Sequence, residues 1–129
     1  MRDVASDIAT YIGQRLSSSL TLGTNLFVGF EPVSPDNCVT VYSIMSDGSE
    51  YTLEGAVLEK NRVQVRVRNI KPFDGLSLMS SIADLFDPGT KITVNVNTYQ
   101  LVLKVGRIYN IGVDERMRTV FVLNLDVIV

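Results

Sequence analysis

The chain has 129 residues, a formal net charge of −2, 46% hydrophobic residues and 20% charged residues. That size and balance predict a folded chain, one domain over 1–129, with enough core to need no disulfide or metal staple. A chain with no surplus of Lys and Arg has no general affinity for nucleic-acid backbone, and a chain with no histidine lacks Ser-His and Cys-His nucleophiles and the commonest zinc and iron sites.

Residues 3–17 have Val4, Ile8, Tyr11, Ile12 and Leu16 at helical spacing, with Arg2, Asp7, Gln14 and Arg15 mostly on other faces, which predicts an amphipathic helix. Asp3 is placed to cap it, and Ser17, Ser18 and Ser19 end it. Residues 26–30 predict a short strand, Pro32 to Asn37 a turn, and residues 38–42 a β-branched second strand. Cys38 starts that strand. As the lone cysteine it forms no intrachain disulfide, and it reads as a small buried apolar residue rather than a nucleophile.

Residues 43–61 predict a long connecting loop, acidic through Asp47, Glu50, Glu54 and Glu59. The clearest strand follows. Val63, Val65 and Val67 alternate with Arg62, Gln64, Arg66 and Arg68, the period of a half-buried strand in an antiparallel sheet. A second helix begins near Pro72, with Phe73, Leu76, Met79, Ile82, Ala83 and Phe86 as its apolar stripe, and ends at Asp87-Pro88-Gly89.

The remainder is β in character. Ile92, Val94 and Val96 alternate in one phase and Tyr99, Leu101, Leu103 and Val105 in the other, which predicts a turn or bulge at Asn97-Thr98. Gly106 and Gly112 read as bulge or turn residues. Asp114 to Met117 predicts a hairpin turn before a last strand over 118–129. The expected fold is α+β: a mostly antiparallel sheet of five to six strands with two helices packed on one face.

Little of this points to catalysis. Asp114-Glu115, the one adjacent acidic pair, has two readings, a hard-metal or acid/base site and a solvated hairpin tip, and the second is the expectation. No glycine-rich loop has phosphate-binding spacing, so no cofactor and no metal is expected. No apolar run reaches the ~18 residues of a membrane span, and the charged N-terminus lacks a signal sequence's apolar stretch, so neither membrane nor export is expected. The Arg62/Gln64/Arg66/Arg68 face has three readings: a wet sheet face, a protein interface or a phosphate reader. Like charges along one strand face are unfavourable without a partner, and an acidic segment precedes this one, so both stretches are candidate interface.

Three stretches together resemble the tail terminator (tail completion, or minor capsid) proteins of long-tailed bacteriophages. They are Pro35-Asp36-Asn37-Cys38-Val39-Thr40-Val41-Tyr42, a Pro-Asp turn before a Val-rich strand; Val63-Gln64-Val65-Arg66-Val67-Arg68 before a helix; and Gly112-Val113-Asp114-Glu115-Arg116 through Phe121-Val122-Leu123-Asn124, similar to a closing Gly-x-Asp-x-x-x-Arg hairpin and final strand. The family's glycine-rich loop after the Val-Tyr strand is here longer and acidic. The resemblance implies a non-catalytic virion subunit made in the host cytoplasm. It would form a homo-oligomeric ring, typically a hexamer, at the head-tail junction, between the tail tube protein and the head connector, with DNA crossing its lumen without specific binding. The rival readings are another neck or head-closure component, a small ligand- or peptide-binding α+β module, and an enzyme using carboxylates alone. On the ring reading, Asp47, Glu50, Glu54 and Glu59 with Arg62, Gln64, Arg66 and Arg68 are the candidate subunit-interface residues, two complementary patches that would meet between neighbours. A competing placement puts the acidic segment in the lumen, where like charge keeps DNA from sticking.

Overall fold

The computed structural model describes residues 3–44, 50–53 and 56–128, with the backbone alone described for 50–53 and 56–59. The chain orders as α1 (Val4–Arg15), β1 (Leu26–Val28), β2 (Cys38–Ile44), β3 (Glu50–Leu53), β4 (Ala56–Asn69), α2 (Pro72–Asp84), β5 (Thr90–Val94), β6 (Asn97–Val113) and β7 (Thr119–Ile128). The sheet follows the path β1-β2-β4-β7-β6-β5, and β3 pairs with the start of β4. All of these pairings are antiparallel except β1 with β2.

The core grows from the strict alternation of β4. Val63, Val65 and Val67 are fully buried, and opposite them on β7 lie Leu125, Leu123 and Phe121. Both helices cover this face. From α1 come Val4, Ala5, Ile8, Ala9, Tyr11 and Ile12; from α2, Met79, Ile82 and Ala83, with Phe86 just beyond it. The helices meet where the Tyr11 and Phe86 rings lie 5.8 Å apart. Each fully buried Val, Leu or Ile stabilises the fold by about 1.5–3 kcal/mol. Asp3 caps α1 as expected, its carboxylate accepting the Ser6 N–H at 3.1 Å. In α2 a Cβ on Gly75 would stand 3.1 Å from both Phe121 and the Asn69 Cβ, so a larger residue here would press α2 away from β7 by a few tenths of an ångström.

Four features differ from the sequence expectation. The acidic segment is largely strand: β2 runs to Ile44, β3 occupies 50–53, and β4 starts at Ala56, six residues before Arg62. Tyr-Thr-Leu and Ala-Val-Leu are good strand formers whose pattern the interspersed glutamates conceal. The β5–β6 turn falls at Asn95-Val96, two residues early, with φ of 49° and 59°. Such a turn favours Asn but not a β-branched residue, so alternation through Val96 misleads. Asp7 belongs to the buried side of α1, at 5% exposure. At the start of α2, Phe73 is 87% exposed and Leu76 41% exposed, so among the described residues the first turn of the expected stripe is left largely uncovered.

Candidate subunit interface

β1 and β2 are parallel neighbours joined by only nine residues, 29–37. A parallel crossover normally has a dozen residues or more and a helix. This one is an irregular loop laid over the sheet face opposite the helices, and its carbonyls need donors from elsewhere. Two arginines supply them. Arg68, 3% exposed, donates to the carbonyls of Pro35 (2.7 Å), Asp36 (3.2 Å) and Val33 (3.4 Å). Arg118, 5% exposed, donates to the Val33 carbonyl at 2.6 Å and meets the Asp36 carboxylate at 3.3 Å. A guanidinium is suited to this, having five donors in a rigid fork and no acceptor to satisfy.

Arg118 is itself held by the β6–β7 turn. The Asp114 carboxylate accepts the backbone N–H groups of Arg116 (2.9 Å) and Arg118 (3.0 Å) and the Arg118 guanidinium (2.8 Å). These bonds, the Arg118 amide foremost, hold the Asp114 carboxyl below the usual carboxylate range. Asp114 organises the turn with Arg118, the two polar positions of the Gly-x-Asp-x-x-x-Arg pattern. Cys38 lies under the same crossover at 3% exposure, and burial pushes its thiol up, partly offset by Arg68.

The rest of the Arg row is also engaged within the chain. Arg62 meets Asp126 of β7 at 3.0 Å, and Lys60 approaches the same carboxylate at 3.8 Å. Gln64 donates to Asn124 at 3.4 Å. Arg66 meets Glu31 of the crossover at 3.4 Å, and Arg68 reaches Glu31 at 3.7 Å. Arg62 and Arg66 keep 35% and 26% of their side-chain surface, whereas Arg68 keeps 3%. The row therefore divides into an outer part, Arg62 to Arg66, that a partner could still reach, and Arg68, which acts on the crossover.

On the acidic side, β3 and the start of β4 form a two-stranded ribbon. Its backbone register pairs Glu50 with Glu59, Tyr51 with Leu58, Thr52 with Val57 and Leu53 with Ala56. Asp47 and Glu54 lie outside the described residues, and for Glu50 and Glu59 the described part is the backbone. Ribbon and Arg row share β4 end to end: Glu59 closes the β3 pairing and Lys60 opens the β7 pairing. Sequence reasoning missed Arg118, Asp126 and Glu31, because only the sheet register and the crossover bring them to the Arg row.

A family described as bacteriophage tail terminator protein matches residues 8–129. The chain belongs to that family. As a tail terminator family member it is a bacteriophage structural protein, in a family whose role is structural rather than catalytic. No curated protein matches the sequence. Among solved structures, the fold is similar to a chain from the virion of a native gene transfer agent particle, with a TM-score of 0.65 at 12% identity, covering 99% of this chain and 98% of that one. That similarity concerns the fold.

Proposed function

We propose that this chain forms the terminator ring of a long phage tail, typically a hexamer. It caps the tail tube protein at the head-tail junction and meets the head connector, and DNA crosses the lumen without specific binding. The observation that carries the reading is the family match across nearly the whole length, 8–129. The geometry supports it from a second side. A closed ring needs head-to-tail contacts between two unlike patches of one subunit. The ribbon and the outer Arg row lie end to end along β4, and the ribbon runs past the last β7 pair, an arrangement suited to reaching a neighbour. Asp47, Glu50, Glu54 and Glu59, with Arg62, Gln64 and Arg66, make one side of this contact, and Arg68 contributes by holding the crossover beneath Arg66.

The test is molar mass by light scattering on a sizing column, for the purified chain alone and mixed with its tail tube protein. An assembly of about six subunits is expected. A chain that stays monomeric in both conditions overturns the ring.

A further inference from the structure

β6 is the longest described strand, and half of it has no neighbour on one side among the described residues. β5 pairs only with Asn97 to Val102, while β7 pairs with the other side of β6 as far as Val113. Of the residues from Gly106 to Val113, all but Ile108 are exposed, and Tyr109, Ile111 and Val113 are apolar residues more than half exposed. Beside this edge lies a cavity of about 200 Å³ lined by Pro72, Phe73, Leu76, Asn110 and Phe121. Proteins usually blunt a long exposed strand edge with charges, Pro, bulges or a covering segment. Beyond Val105, β6 carries Arg107 but no Pro, Lys or, among the described residues, covering segment. Irregular register at Val105/Tyr109 and Asn110/Val113 bends the strand but leaves the edge open.

The same chain carries a strand in want of a sheet. Among the described residues β3 pairs with β4 alone, and the ribbon stands beyond the last β7 pair, Lys60 with Ile128. A two-stranded ribbon by itself is marginally stable in water. Its apolar register pairs, Tyr51–Leu58 and Leu53–Ala56, alternate with Glu50–Glu59 and Thr52–Val57. The charges are complementary: residues 50–59 include three glutamates and no basic residue, while residues 103–113 include Lys104 and Arg107 and no acidic one. Lys104 already meets Asp87 at 3.0 Å, and Arg107 forms no ion pair among the described residues.

We propose that β3 of one subunit adds to the free edge of β6 in a second copy of this chain, so that one sheet continues into the next around the assembly. Main-chain hydrogen bonds supply the attraction, and the cavity at Phe73 and Leu76 together with Arg107 sets the register, as in strand addition generally. The two edges are different parts of the molecule, so the contact is head-to-tail and propagates. This rests on the ring reading and names the surfaces that make it.

The experiment pairs Thr52→Cys with Ile111→Cys in a Cys38→Ala background and treats the assembled protein with a short bis-maleimide. The double variant should give a ladder of covalent multimers on a denaturing gel, and each single variant should stop at monomer or a trace of dimer. Separately, Arg107→Glu with Ile111→Lys should raise the protein concentration needed for assembly at least about tenfold and leave monomer melting within a few degrees. If the assembly forms but gives no ladder, and the Arg107→Glu/Ile111→Lys chain assembles like the parent, strand addition is overturned while the ring stands. If the parent chain never assembles, alone or with tube protein, both fall together.

Discussion

Asp7 lies one turn into α1, almost wholly out of water, with its side chain aimed at the β5–β6 turn. Its carboxyl oxygens accept hydrogen bonds from the Asn95 amide (3.0 Å), the Asn97 amide (2.9 Å) and the Tyr99 hydroxyl. The contacts join the first helix to a hairpin some ninety residues away, and they hold Asn95 and Val96 in a left-handed turn that Val resists. Asp7→Ala would remove the shared acceptor of two amides and a buried phenol, with Thr10 Oγ1 at 3.4 Å left to the Asn95 amide. The expected cost is about 3 kcal/mol, read as a lower urea midpoint with an unchanged slope. Nothing in the local sequence marks Asp7 for burial: at helical spacing it falls beside the polar positions, and its partners are visible only once β5 and β6 are folded against α1. Cys38 is the opposite case, because its apolar β-branched surroundings announce its burial.

Among the elements, β4 was legible because period-2 alternation over residues 62–68 admits one placement, valines in and polar residues out. The ribbon at its start was not, since glutamates at strand positions look like a loop until the facing strand is known. The crossover over 29–37 was half legible: its Pro-Asp turn showed, but the arginines that hold it come from β4 and from the end of the β6–β7 turn. Charge reversal on this row therefore acts on the crossover. Arg66→Glu with Arg68→Glu would set two carboxylates beside Glu31 and remove the Arg68 donors to Pro35, Asp36 and Val33, with Arg118 alone left on the Val33 carbonyl. The expected result is a destabilised monomer, by about 3 kcal/mol or more, with faster hydrogen exchange over 29–37, rather than a stable monomer that fails to assemble. The β6–β7 turn makes a pH prediction. Asp114 titrates lower in the folded chain than its usual value near 3.8, so the stability it contributes is complete above that value and is lost as pH falls through the folded one. The Arg116 and Arg118 amide proton resonances should therefore shift with a midpoint below 3.8. A midpoint at or above it would mean the carboxylate does not hold the turn.

For the whole molecule, the fold class followed from pattern alone, because two amphipathic helices and a set of alternating strands leave few ways to bury their apolar faces. The proposed docking edge did not, since exposure at Phe73, Ile111 and Val113 depends on where β5 stops and where α2 begins to cover the sheet. Contacts of the kind proposed, mainly main-chain and apolar with some exposed charges, respond to salt weakly. Raising sodium chloride from about 0.1 M to about 1 M shortens the screening length from about 10 Å to about 3 Å. The assembly should then lose no more than about tenfold in affinity, measured as the shift in the concentration of half-assembly. A much steeper loss would point to a purely ionic contact.

The ribbon is the outer end of β4, an inner strand of the sheet, and its mechanics follow from that. β4 is fastened by seven registered pairs to β2 on one side and ten to β7 on the other. A tug on the ribbon is transmitted straight down the strand, loading both ladders in shear so that their bonds resist together instead of unzipping one by one. A subunit gripped there is held by its core. On the proposed ring reading, a pull from a neighbour would reach the core through both ladders at once, so the contact between subunits would yield before the subunit itself.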